Sequence, residues 1–148
     1  MTTRPKVVIE RSYRATLDEI WELWTTRDGF ESWWGPVGFR VDVHAIEPRV
    51  GGALHYDMVA DSPDEPSHAT RGTFTEVTPH RRLTLTHVID FLPGVEPYES
   101  TMFVELFPTG DSVRMVVTLT PMHTEVFTNM QIEGFTSQLT KLDRRFSR

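Results

Sequence analysis

The chain has 148 residues, a net charge of −6 and no cysteine. Its length is that of one domain, which buries roughly 70% of the surface its unfolded chain exposes and so folds without metal or disulfide support. The missing cysteines exclude disulfides, thiolate nucleophiles and zinc–thiolate sites, and the acidic balance argues against nucleic acid as a partner. The one dense basic stretch, Lys141 to Arg148, reads instead as the complement of a helix C-terminus, through Arg144, Arg145 and Arg148. Met1 to Lys6 lacks the apolar core of a signal peptide. No window approaches the ~20 apolar residues of a membrane span. One cytoplasmic domain over residues 1–148 is expected.

Val7, Ile9, Arg11 and Tyr13 alternate with Val8, Glu10 and Ser12, which predicts a strand. Thr16-Leu17-Asp18-Glu19 then forms a capping box, the Thr16 hydroxyl taking the Glu19 amide while the Glu19 carboxylate reaches back. Leu17, Ile20, Trp21 and Trp24 follow at helical spacing. Asp28 is placed to cap a second short helix carrying Phe30, Trp33 and Trp34, which Gly35-Pro36 ends. The period next changes to two. Phe39, Val41, Val43 and Ala45 alternate with Arg40, Asp42 and His44, and after a turn at Pro48 to Gly52 so do Leu54, Tyr56 and Met58.

Asp61 to His68 reads as a solvated loop. Four more strands are predicted over Arg71 to Val77, Leu83 to Phe91, Ser100 to Phe107 and Ser112 to Thr120. Pro108-Thr109-Gly110-Asp111 is a hairpin signal between the last two. From Thr124 the helical period returns, with Phe127, Met130, Ile132, Phe135, Leu139, Leu142 and Phe146 on one stripe. Gly134 interrupts that helix at a cost of ~1 kcal/mol relative to alanine, which predicts close packing there. The whole is an α+β chain: one strand, two short helices, about six strands and a long closing helix, with an antiparallel sheet that must bury one face against that helix.

None of the histidines His44, His55, His68, His80, His87 and His123 shows a tight metal-ligand spacing, so no metal is expected. His87 alternates with Leu83, Leu85, Ile89 and Phe91 and therefore points to the apolar face, either as a core histidine or as a polar contact inside a cavity. His55 and Asp57 share a strand face, an arrangement for base work or simply a solvated surface. Glu105 is read as solvated, opposite Met102, Val104 and Leu106; turned inward it would be a candidate acid. Arg49, Gly51 and Gly52 read as a structural turn, with glycine for positive φ and Arg49 braced by Glu47 or Asp42. Methionines and aromatics on several strands and on the closing helix favour an adaptable apolar space. Its candidate lining is Trp34, Phe39, Tyr56, Met58, Phe74 and His87 from the first part of the chain, and Met102, Met115, Phe127, Met130 and Phe135 from the rest. Trp34, Arg40, Tyr56 and His87 are its candidate polar anchors.

The ordered set Arg14-Ala15-Thr16, Ile20-Trp21-Glu22-Leu23-Trp24-Thr25, Trp33-Trp34-Gly35-Pro36, Arg49-Val50-Gly51-Gly52, Gly72 to Pro79 with Arg82-Leu83, and Gly134-Phe135 with Leu139 and Leu142 resembles a known family. It is similar to the helix-grip fold of START-like (SRPBCC) proteins, in the branch named after the activator of the heat-shock-90 chaperone ATPase. The chain departs from that pattern in carrying Phe135 where tryptophan is usual, and in having Pro48 between Glu47 and Arg49. The resemblance implies a curved sheet of six or seven strands wrapped on the long helix, with a cavity between them that in many relatives holds a hydrophobic molecule. The expected function is binding of a small hydrophobic ligand, with no cofactor and no catalytic residues. Alternatives are a chaperone-activating interaction domain, or a cyclase or hydrolase using His87 or Glu105. Relatives often pair, so a homodimer is a further expectation.

Overall fold

The computed structural model describes residues 6–65, 67–89 and 93–146. Its elements run β1 (Val7–Tyr13), α1 (Leu17–Thr25), α2 (Arg27–Glu31), β2 (Phe39–Ile46), β3 (Ala53–Ala60), β4 (His68–Thr78), β5 (Arg82–Ile89), β6 (Tyr98–Thr109), β7 (Ser112–Leu119) and α3 (Glu125–Arg145). The strands form one seven-stranded sheet in the order β1-β7-β6-β5-β4-β3-β2, every neighbour antiparallel. After β1 the chain crosses through the two short helices to the far edge. It then returns strand by strand, so that β7 closes beside β1. The sheet is a curled half-barrel around α3, which is the helix-grip architecture. Register shifts between Val43 and Ala45 in β2 and between Phe74 and Glu76 in β4 are the bulges that bend it.

Alternation places Val41, Val43, Leu54, Tyr56, Phe74, Leu83, Leu85, Met102, Val104, Leu106, Val113, Met115, Val117 and Leu119 inside, with Ile20, Leu23, Trp24, Phe30, Trp33 and the α3 residues Phe135, Leu139 and Leu142 packed on them. The capping box on α1 is complete: Glu19 N donates to Thr16 Oγ1 at 3.1 Å, and Thr16 N donates to a Glu19 carboxylate oxygen at 2.9 Å. On α2 the cap is Thr26 rather than Asp28. Thr26 Oγ1 accepts from Gly29 N at 3.0 Å, while Asp28 sits in the first turn, where its charge meets the helix N-terminus. That helix ends at Glu31, so Trp33 and Trp34 lie just beyond it. Glu31 then turns back, and its carboxylate accepts the Val43 amide at 2.8 Å, at the bulge of the outermost strand β2.

Several predicted boundaries shift; β6, for one, runs from Tyr98 to Thr109 rather than from Ser100 to Phe107. The strand β4 begins at His68, not Arg71, because the register with β3 continues as far as the pair Met58 and His68. The expected last residue of β5, Phe91, and the terminal Arg148 fall outside the described residues. Gly134 is not a site of close approach: a Cβ built there meets nothing within 4 Å.

The turn between β2 and β3 needs both of its glycines, for different reasons. Gly51 has φ of 83°, a conformation that costs an L-residue about 1–2 kcal/mol. Gly52 would drive a Cβ into the backbone carbonyls of Glu47 and Arg49. The turn is also stitched to β4, with Gly51 N donating to Phe74 O at 2.7 Å and Phe74 N to Gly52 O at 2.9 Å. Of the two carboxylates available to Arg49, Glu47 takes it, at 3.6 Å; Asp42 is held by Arg40. Gly52→Ala is expected to destabilise the protein by more than ~2 kcal/mol and Gly51→Ala by about 1 kcal/mol. Urea titrations of the two variants would show this order, and equal or reversed losses would contradict the steric assignment.

Candidate functional site

Three tryptophans, two of them adjacent, make one corner of the interior. Trp33 is fully buried and donates its indole N–H to Leu23 O at 2.9 Å. Trp24 aims its own N–H at the Met115 sulfur, 3.4 Å away. Trp34 donates to the Tyr56 hydroxyl at 3.0 Å and stacks on Phe30 with ring centres 4.6 Å apart. Each indole therefore has the polar partner that burial demands. The corner is fastened to α3 by the backbone of Gly35, whose N–H donates to Gln138 Oε1 at 2.9 Å and whose carbonyl accepts from Lys141 Nζ at 2.8 Å. Lys141 also reaches Phe39 O at 3.2 Å. Burial lowers the pKa of its ammonium from the ordinary lysine value, an effect that the charge of Asp61 opposes.

Beside this corner, between the sheet and α3, lies a cavity of about 230 Å³. Trp34, Tyr56 and Phe135 form one wall, Thr70, His87, Ser100 and Met102 the sheet floor, and Gln131 and Gln138 the helix side, with His68, Ile89 and Met122 completing it. Among the described residues no Asp, Glu, Lys or Arg lines it. Among the described residues, three sealed side-chain atoms have no hydrogen-bond partner: His87 Nε2, Gln131 Oε1 and Gln138 Nε2. All three residues line this one cavity.

His87 lies over its cross-strand neighbour Gly72, where a Cβ would come within 3.1 Å of the imidazole. The absence of a side chain at Gly72 is what makes room for the ring there. The residue as a whole is only partly covered, yet its Nε2 is shut off from solvent. Burial pushes the imidazole down to about 4. Burial likewise pushes the Tyr56 phenol up to about 12, against the pull of its hydrogen bonds to Trp34 and Thr70. Both groups are neutral at pH 7.

Of the residues anticipated as lining, Trp34, Tyr56, His87, Met102 and Phe135 are brought together here. The others sit elsewhere. Phe74 and Met115 are solid core, the latter occupied by the Trp24 N–H. Met58 packs near Gly35, and Phe39 gives its carbonyl to Lys141. Phe127 packs on the ring of His123, centres 4.5 Å apart. Met130 is 57% exposed and faces away from the sheet: the cavity-facing stripe of α3 runs through Gln131, Phe135 and Gln138, one residue out of phase with it. Arg40 is exposed and paired with Asp42 at 2.6 Å, on the outer side of its strand.

The other polar candidates are surface features. Asp57 pairs with His44 at 3.0 Å rather than with His55. Glu105 faces outward, with Met102, Val104 and Leu106 on the buried side of its strand. A more voluminous groove of about 510 Å³ lies at α1, α2 and Arg145, but its lining is mostly charged and polar surface, and it contains none of the orphaned atoms. Among the described residues no group of three His, Cys, Asp or Glu is placed to hold a metal, and no helix is long and apolar enough to cross a membrane.

A family model for activator of Hsp90 ATPase homolog 1-like proteins matches residues 14–147. The chain belongs to this family. Among solved structures, a Chromobacterium violaceum protein matches with a TM-score of 0.82 at 18% identity, over 98% of this chain and 99% of its own. The AHSA1 protein of Silicibacter pomeroyi matches at 0.79 and 20% identity, over 95% and 96%. An Arthrobacter aurescens protein matches at 0.79 and 23%, over 93% and 83%. The likeness at these identities is one of fold, the START-like helix grip. No curated protein matches the chain in sequence.

In this AHSA1-like chain the sealed imidazole makes stability depend on pH. Unfolded, His87 takes a proton near 6.5; folded, it does so only near 4. Between these values the unfolded state binds more protons, so stability that is intact above about 6.5 falls as pH drops through the window and levels off below about 4. The full loss is on the order of 3 kcal/mol. A His87→Gln variant is expected to lack this part of the pH dependence. Denaturation at pH 7 and pH 4.5 checks it, and parallel losses in both proteins would refute it.

Proposed function

We propose that this chain binds a small, largely apolar molecule in the cavity between the sheet and α3, and that residues 1–148 act as one START-like ligand-binding domain. The observation that carries the reading is the convergence of three sealed, unpartnered polar atoms on a single aromatic-walled space. Each such atom costs about 1–3 kcal/mol when left unpaired, and a plain core has no use for three of them around one space. Ligand sites have this composition: mostly apolar, with a few convergent polar groups. The family match and the helix-grip fold are consistent with it. The site is read as one that binds rather than turns over. An imidazole held near 4 is a poor base at pH 7, and its Nε2 touches no nucleophile or carboxylate. A cytoplasmic location goes with this reading.

Native mass spectrometry and thermal unfolding with a panel of sterols, fatty acids and aromatic polyketides test the proposal. A ligand at a hundred times its Kd stabilises by about 2.7 kcal/mol, which for a chain of this size raises Tm by roughly 5–10 °C. No bound species and no shift across the panel would sink it.

The family description supports a second reading, an interaction domain that stimulates a chaperone ATPase. Adding the protein to a heat-shock-90 ATPase assay is then expected to raise turnover; an unchanged rate removes that reading.

A further inference from the structure

We infer that the molecule taken up by this cavity is uncharged and compact, and that it presents a hydrogen-bond acceptor to Gln138 Nε2 and, at its other end, a donor to Gln131 Oε1. This rests on the binding reading above and narrows it to a chemical class: a one- or two-ring molecule with hydroxyl, carbonyl or amide groups at separate ends. A fatty acid, an organic anion or an amine does not fit.

The orientation of Gln138 is fixed from behind. Its Oε1 accepts the Gly35 N–H at 2.9 Å, which leaves both protons of its amide nitrogen, beside the cavity, without a partner among the described residues. Gln131 is turned the other way. Its Nε2 points to Ser100 Oγ at 3.5 Å and its carbonyl oxygen is the orphan. The helix side of the cavity thus offers one donor and one acceptor. They sit on one face of α3, two turns apart, or ~10 Å along the axis. A single carboxylate, which only accepts, satisfies the donor and leaves the Gln131 oxygen unpaired.

Charge is disfavoured on independent grounds. No Asp, Glu, Lys or Arg among the described residues lines the cavity, and an ion buried without a counter-charge costs far more than a neutral dipole. The ionisable groups that face it are His87, Tyr56 and His68. His87 adds a third, neutral contact from the sheet floor. Size sets the last limit. About 230 Å³ is below the ~300 Å³ at which drug-sized pockets begin, so the enclosed part of the ligand is a ring or two.

The test is calorimetric titration of the full chain at pH 7 with a matched series on one scaffold. The first ligand is a naphthalene bearing a hydroxyl on one ring and a carboxamide on the other. The remainder are the same molecule with carboxylate in place of carboxamide, the same with an aminomethyl group there, and naphthalene itself. The hydroxy-carboxamide is expected to bind at least tenfold tighter than any of the other three. Gln131→Met is expected to weaken it about tenfold while holding naphthalene equally well or better. Comparable or tighter binding of the carboxylate, the amine or the bare hydrocarbon overturns this inference and leaves the binding proposal standing. If none of the four binds, the wider ligand panel decides. A charged or wholly apolar ligand found there overturns the inference, a neutral donor–acceptor ligand supports it, and no ligand at all removes both. The ligand comparison in the unmodified protein needs no variant to fold.

Discussion

The hydrogen bond from the Gly35 amide to the Gln138 side chain is the joint on which the interior is built. Gly35 ends the segment that carries Trp33 and Trp34, and Gln138 lies midway along the only long helix among the described elements. The bond sets the distance between the aromatic corner and α3, and Lys141 clamps the same residue through its carbonyl. A hydrocarbon side chain at 138 would close the gap by packing. The carboxamide instead spends its oxygen on the backbone and leaves its nitrogen unpartnered beside that space. Because both groups are buried, the bond operates in a medium where hydrogen bonds are strong and their loss is expensive.

The rest of the interior answers to that spacing. Trp34 is wedged between Phe30 and Phe135 and tied to Tyr56, so the corner cannot slide to fill the cavity. On the opposite side the imidazole of His87 lies over Gly72 on the neighbouring strand. Aromatic pairs of this kind add about 0.5–1.5 kcal/mol each beyond their burial, enough to hold a shape that simple collapse would erase. A half-barrel that curls around one helix has little freedom to adjust its width strand by strand, because each bulge bends the sheet as a unit.

Most of the scaffold was legible in the sequence, because each element there was over-specified. Thr16 and Glu19 announce a helix start whatever surrounds them, and the alternation in Phe39–Val43 or Met102–Leu106 gives both the strand and its buried face. The cavity was only half legible. Its aromatic wall follows from bulk and position, but Gln131 and Gln138 look like ordinary solvated helix residues. Their place on the inner face shows only when polar residues are admitted to the stripe: Gln131, Phe135, Gln138 and Leu142 follow at steps of four, three and four. Weighing apolar residues alone shifts the phase by one and selects Met130, which faces water. The role of Gly72 depends on which residue stands opposite it, and cross-strand register is set by tertiary pairing and bulges that local sequence does not encode. Asp28 was displaced as cap by Thr26 for a similar reason: two good capping residues stood two apart, and packing chose between them.

The short carboxylate bond at the rim of β2 has a wider consequence. An outermost strand offers free amides to any extended chain, which is how sheets grow between molecules. Here, next to the bulge, Glu31 from α2 accepts the Val43 amide. A guest strand arriving at that rim would have to displace a charged acceptor already in place and would find the ladder out of step. At that one point the selvedge of the sheet is hemmed by a charged side chain, which disfavours strand addition there.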